Sequence, residues 1–168
     1  MQFTVAKSAL LEALQICASA VPGKSTLPIL QNFLLSAAEG ELRITATDLD
    51  LGVRIAIAVD LRQSGELVVP ARSLLDVVRE LPDLPVEFSV KDFHLQVRSE
   101  GGFQCRLAGV DGSEFPALPQ LEDNDGFTVT SGTLRRLSER TLFAVSTDQT
   151  RLALNGILWE PSQGRTSM

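Results

Sequence analysis

A chain of 168 residues with 44% hydrophobic side chains is long enough to bury a core of its own, as one domain or one and a fraction. Its 15 basic against 21 acidic residues exclude a protein that grips nucleic acid with its whole surface, while leaving room for one basic face on an acidic body. No apolar run reaches the length of a membrane span, and Lys7 with an amphipathic pattern stands where a secretion signal needs a continuous apolar core, so the expected location is the cytoplasm and no membrane partner is expected.

In chain order, residues 2–5 alternate like a short strand and Ser8 is placed to cap a helix. Leu10, Leu14, Cys17 and Val21 recur at three and four with Leu11 and Ala18 alongside, which gives that helix one buried face. Pro22 and Gly23 end it, and Lys24 and Ser25 sit at the tip of a loop. Pro28 lacks an N–H and restricts Leu27, so the chain is expected to run extended there and to join a sheet only at Gln31 or Asn32. A hairpin follows, with an apolar strand around residues 33–35, a turn at Glu39 and Gly40, and a return in which Leu42, Ile44 and Ala46 alternate with Arg43, Thr45 and Thr47. After a turn at residues 48–50, Val53, Ile55, Ile57 and Val59 form one face of a third strand.

The order then starts again. Residues 66–69 read as a strand, Pro70 suits a helix entrance, and residues 72–81 bury Leu74, Leu75, Val77, Val78 and Leu81. Three strands follow: residues 86–90, then Phe93, Leu95 and Val97 alternating with His94, Gln96 and Arg98, then residues 103–107 beyond the Gly101, Gly102 turn. Strand, helix and three strands therefore occur twice. The helix starts match as well, Leu10, Leu11, Glu12, Ala13, Leu14 against Leu74, Leu75, Asp76, Val77, Val78.

Residues 111–126 hold five acidic residues and no basic one, with Pro116 and Pro119, the composition of an exposed connector. Beyond it the beginning returns: Phe127, Thr128, Val129 repeats Phe3, Thr4, Val5, and Asn155, Ile157 and Leu158 answer Asn32, Leu34 and Leu35. The expected organisation is a first domain over residues 1–125, an incomplete second domain of strand, helix and strand over 126–160, and a polar tail over 161–168.

These repeats, together with residues 26–30 and Asn32, residues 47–49, 69–72, 114–116 and 154–156 in that order, resemble the bacterial DNA polymerase III beta subunit, the replicative sliding clamp. The resemblance runs from Met1 to about Glu160. It implies an α+β DNA-clamp fold of duplicated β-α-β-β-β units, two helices on one face and antiparallel sheets outside. It also implies a non-catalytic role without a cofactor: three such domains per chain and two chains, head to tail, ring duplex DNA and tether the polymerase, with a clamp loader as a further partner.

Contacts that slide should go to phosphates, because phosphate contacts hold a duplex without reading its sequence. The resemblance turns the helices toward DNA, which makes Lys7, Arg72, Arg79, Arg135, Arg136 and Arg140 candidates, and it matches Lys24 and Arg72 to two contact positions. It matches residues 147–151 to a third contact loop, through Gln149 or Arg151, with Asp148 standing where the family can carry glutamine. Ring closure is expected to use Phe103, Gln104, Cys105, Arg106 and Leu107, and Leu154 reads as a core strand residue or one wall of a peptide groove. The alternative is a truncated clamp-like interaction protein that pairs with clamp chains and has no DNA role of its own.

Other chemistry finds little support. Asp48 and Asp50 have the spacing of a metal-binding pair but lack a third ligand and suit a turn. His94 lies on the polar side of its strand, Cys17 and Cys105 read as buried apolar residues, no nucleophile has a nearby base, and Gly101, Gly102 is a turn, not a phosphate loop. No catalytic or metal site is expected.

Overall fold

The structure is a computed structural model that describes residues 1–118, 128–148, 150–162 and 165–167. It divides into two units, Met1–Pro119 and Gln120–Met168.

Strand β1 (Gln2–Ala6) passes directly into helix α1 (Lys7–Ala18). The cap expected from Ser8 is absent, and Ala6 holds that position without a side-chain bond. Sheet pairing explains this, since β1 stays hydrogen-bonded as far as Ala6, opposite Pro85, and fixes where the helix begins. Helix α1 buries Leu10, Ala13, Leu14 and Cys17, the face its periodicity predicts. Ahead of the hairpin, Pro28–Gln31 is a 3-10 turn and not extended chain. Proline at the first helical position loses no bond, and only Leu27 before it is extended.

The chain joins the sheet at Asn32, as expected. Strands β2 (Asn32–Ala38) and β3 (Glu41–Thr47) are joined through Glu39 and Gly40, whose φ values of 54° and 79° suit a two-residue hairpin turn. Strand β4 (Gly52–Ala58) follows. A short strand β5 (Asp60–Gln63) comes next, which the sequence did not suggest because Leu61 is its one apolar residue. The second copy is β6 (Gly65–Pro70), α2 (Ala71–Glu80), β7 (Pro85–Lys91), β8 (His94–Ser99) and β9 (Phe103–Ala108). Phe93 departs from its expected place on the core face. It sits in the turn before β8 with φ 56° and is 55% exposed.

The two copies exchange their first strands. One sheet has the order β5-β1-β7-β8-β9 and the other β4-β3-β2-β6, so β1 pairs with the second copy's β7 while β6 pairs with the first copy's β2. The symmetry extends further, since β5 flanks β1 as a bridge from Val110 to Val68 flanks β6. Neither copy can therefore close a sheet without the other. Phe3 and Phe88, contributed by different copies, stack with ring centroids 5.1 Å apart in the shared core. Helices α1 and α2 pack against each other.

The second unit has helix α3 (Ser131–Thr141), capped by Thr130, whose hydroxyl accepts the Thr133 N–H at 3.3 Å. Two 3-10 turns, Leu142–Ala144 and Leu152–Leu154, and a small hairpin of β10 (Glu160–Ser162) and β11 (Arg165–Ser167) complete it. The expected strands are not formed: Thr128 and Val129 are irregular, as are residues 155–158, and Phe127 lies outside the described residues. In the first unit such strands pair with the opposite copy, and among the described residues of this unit no strand is available to pair with them. The residues read as a polar tail contribute the hairpin. Among residues 128–148, 150–151 and 153–160 of this unit none is buried.

Candidate nucleic-acid interface

Where the end of α1 meets the start of α2, a cleft of about 620 Å³ is lined by Val21, Pro22, Gly23, Gln31, Asn32, Pro70, Arg72 and Leu75. Arg72 stands on the first turn of α2 and is exposed, while Leu74 and Leu75 anchor that turn in the core. Lys24 follows Gly23, which lines the cleft, and is also exposed. Neither cation has an acidic partner among the described residues, so both charges stay available to a ligand. Arg79, in the last turn of α2, differs, because it pairs with Asp76 at 3.5 Å and its charge is partly offset. Lys7 opens α1 and is half-buried.

On α3 the three arginines separate in the same way. Arg135 Nε donates to Glu139 Oε1 at 2.8 Å, whereas Arg136 and Arg140, one turn apart and exposed, have no acidic partner among the described residues. Arg151 is exposed, and Gln149 lies outside the described residues. Asp148 accepts hydrogen bonds from the Thr150 hydroxyl at 2.7 Å and the Thr150 N–H at 2.9 Å. Those bonds hold its carboxyl below the usual range, so a negative charge persists in this loop. Leu154 belongs to a 3-10 turn and is exposed, which corrects its reading as a core strand residue.

Strand β9 is the last strand of its sheet. Cys105 and Leu107 are half-buried, and Phe103, Gln104 and Arg106 are exposed beside an edge that pairs with no strand among the described residues.

The family model of the DNA polymerase III beta subunit N-terminal domain matches residues 1–119. The chain belongs to that family. It is 32% identical to the beta sliding clamp of Bacillus subtilis over 97% of this chain and 45% of the relative. It is 35% identical to the beta sliding clamp of Pseudomonas aeruginosa over 98% and 45%. Among solved structures, the DNA polymerase sliding clamp of Bacillus subtilis superposes with a TM-score of 0.90 at 32% identity, covering 97% of this chain and 45% of that one. The Bartonella birtlesii DnaN sliding clamp bound to griselimycin gives 0.89 at 33% identity, covering 95% and 43%. The fold is thus the clamp fold, and the chain spans about 45% of the length of these curated relatives. The family is a non-catalytic accessory subunit of the polymerase.

The residues set aside as poor chemistry have structural work. Asp48 Oδ1 accepts the N–H groups of Asp50 at 3.0 Å and Leu51 at 2.7 Å, which closes the turn between β3 and β4. His94 is half-buried, with Nδ1 2.7 Å from the Asp92 carbonyl oxygen. The Cys17 thiol is fully buried, and burial, partly opposed by a backbone hydrogen bond from Ile55, pushes its pKa up to about 11. Among the described residues no three His, Cys, Asp or Glu side chains cluster as a metal site would need, and no helix is long and apolar enough to cross a membrane. Charge and resemblance single out Arg72 but not the cleft it lines, because Asn32 and Pro70 come together there through the exchanged pairing of β2 with β6.

Proposed function

We propose that this chain is the opening part of a bacterial sliding clamp that, when complete, encircles duplex DNA and tethers the replicative polymerase, with a clamp loader and a second clamp chain as partners. The first clamp domain occupies the first unit, and the residues beyond the acidic connector begin the second domain. The observation that carries this reading is Arg72 in a cleft between adjacent helices, with Lys24 next to its lining residue Gly23 and neither cation paired with an acid among the described residues, on a protein of net charge −6. Charges in that arrangement attract phosphate without reading bases. Arg136, Arg140 and Arg151 extend the cationic set, while Arg79 and Arg135 contribute less because each shares its charge with a carboxylate. Asp148 weakens the third contact loop.

The test is fluorescence anisotropy of a labelled duplex at low salt. Lys24→Glu and Arg72→Glu should each weaken binding several-fold, and equal affinity of both variants with the parent overturns the DNA reading. The edge of β9, unpaired among the described residues, favours a second reading, an interaction fragment that pairs with other clamp chains and has no DNA role. Co-purification with a full-length clamp through Phe103, Gln104, Cys105, Arg106 and Leu107, without retention on DNA, supports that alternative.

A further inference from the structure

We infer that Asn32 is a positioning residue for the cationic cleft, holding the Lys24 loop in register with the helix that carries Arg72; the inference rests on the DNA reading above. The Asn32 carboxamide Nδ2 donates to the Pro28 carbonyl at 3.0 Å and to the Ile29 carbonyl at 2.9 Å, a clasp on the 3-10 turn that ends the Lys24 loop. In the β2–β6 pairing the same residue lies opposite Pro70, the residue immediately before α2. Asn32 therefore joins two segments at one point: its side chain holds one wall of the cleft, and its backbone sits beside the other.

The neighbourhood explains why a side chain is needed. Ahead of Asn32 the other side-chain and backbone bonds are local: Leu27 N–H to Ser25 Oγ at 3.0 Å, Leu30 N–H to the Leu27 carbonyl at 3.1 Å, and the Asn32 backbone N–H to the Ile29 carbonyl. The buried Leu30 side chain anchors the end of the turn, while Lys24 and Ser25 lie beyond its reach in the sequence. A second hollow of about 360 Å³, lined by Pro28, Ile29, Val68 and Val110, lies on the other side of Asn32, so the turn has space to move into when the clasp is lost. Pro28 is exposed, so water can satisfy its carbonyl in a variant, and the Ile29 carbonyl keeps the Asn32 backbone N–H, so the fold itself should lose little. What changes is the placement of Lys24 relative to Arg72. A phosphate contact that depends on that spacing is lost without any change in charge.

The test uses the 168-residue chain, a labelled duplex at low salt, and the variants Asn32→Leu, Lys24→Ala, Arg72→Ala and Asn32→Leu with Lys24→Ala. Asn32→Leu, similar in size but without the donor, should weaken binding about threefold or more, while the double variant binds no worse than Lys24→Ala alone. The slope of log affinity against log salt should fall by about one, the signature of one lost phosphate contact. Backbone amide exchange should quicken at Leu30 and its neighbours with the unfolding midpoint nearly unchanged. Asn32→His, whose Nδ1–H can replace the amide donor, should recover part of the affinity. Normal binding by Asn32→Leu while Lys24→Ala is weakened overturns the positioning role and leaves the DNA reading intact, as does a loss that adds fully to that of Lys24→Ala. If Lys24→Ala and Arg72→Ala both bind normally, the DNA reading fails first.

Discussion

Helices α1 and α2 each bury four residues, and α3 buries none among those described, although all three carry arginine or lysine on a polar face. The difference lies in what surrounds them. In the first unit each strand–helix–strand copy supplies the sheet partner of the other, so both helices rest on completed sheets and share a core around Phe3 and Phe88. In the second unit α3 stands with Leu142 and Phe143 exposed, Phe143 at 86%, and with a hairpin of three-residue strands as the one described sheet. A helix can thus form with few of its side chains buried, held by its own backbone bonds and by the Thr130 cap.

The largest effect that could break this comparison is loss of the shared core. Phe88→Ala should cost the first unit about 3–5 kcal/mol in urea unfolding, while Leu137→Ala on α3 should change the same transition by less than about 0.5 kcal/mol. Similar losses from both would mean that the second unit is part of the cooperative core.

A smaller effect comes from Cys17. Its thiol ionises near 9.0 in the unfolded chain and near 11 when folded, so above pH 9 the unfolded state gives up the proton first and stability falls as pH rises toward 11. The loss should be on the order of 1–2 kcal/mol, and it should vanish in Cys17→Ala. The chain contains no tyrosine to confuse that window. A wild-type curve parallel to that of Cys17→Ala from pH 9 to 11 would show that the thiol titrates alike in both states.

Smaller still, Thr130→Ala removes the one side-chain cap on the three α-helices and should reduce α3 helicity, a local loss of about 1 kcal/mol. Circular dichroism should register the change while the main unfolding transition stays in place. At the bottom of the scale, ending the chain at Leu118 should leave that transition within about 0.5 kcal/mol of the parent. A clear shift would show that the two units stabilise each other.

Much of the first unit was legible in the sequence because its faces alternate cleanly. Leu42, Ile44 and Ala46 announce a strand, Leu10, Leu14 and Cys17 a helix, and both sets are buried as read. Periodicity names faces but not partners, so the exchange of β1 and β6 was invisible, and with it the cleft beside Arg72. β5 was missed because Asp60, Arg62 and Gln63 give it no apolar alternation; its pairing with β1 makes it a strand. Phe93 was misplaced because hydrophobicity outweighed the turn chemistry of Asp92, which shares its left-handed backbone. In the second unit the echo of Phe3, Thr4, Val5 was real as sequence, but its described residues Thr128 and Val129 form no strand, since a strand needs a neighbour. The cations were readable from charge and resemblance; which of them are already paired, as Arg79 and Arg135 are, required side-chain geometry.

The proposed DNA contact is phosphate attraction by a cleft that does not read sequence. The direct measurement is binding of the chain to two duplexes of unrelated sequence across a salt series. Equal affinities that fall along parallel lines of log affinity against log salt are the predicted result. A preference for one duplex, or binding indifferent to salt, would contradict it.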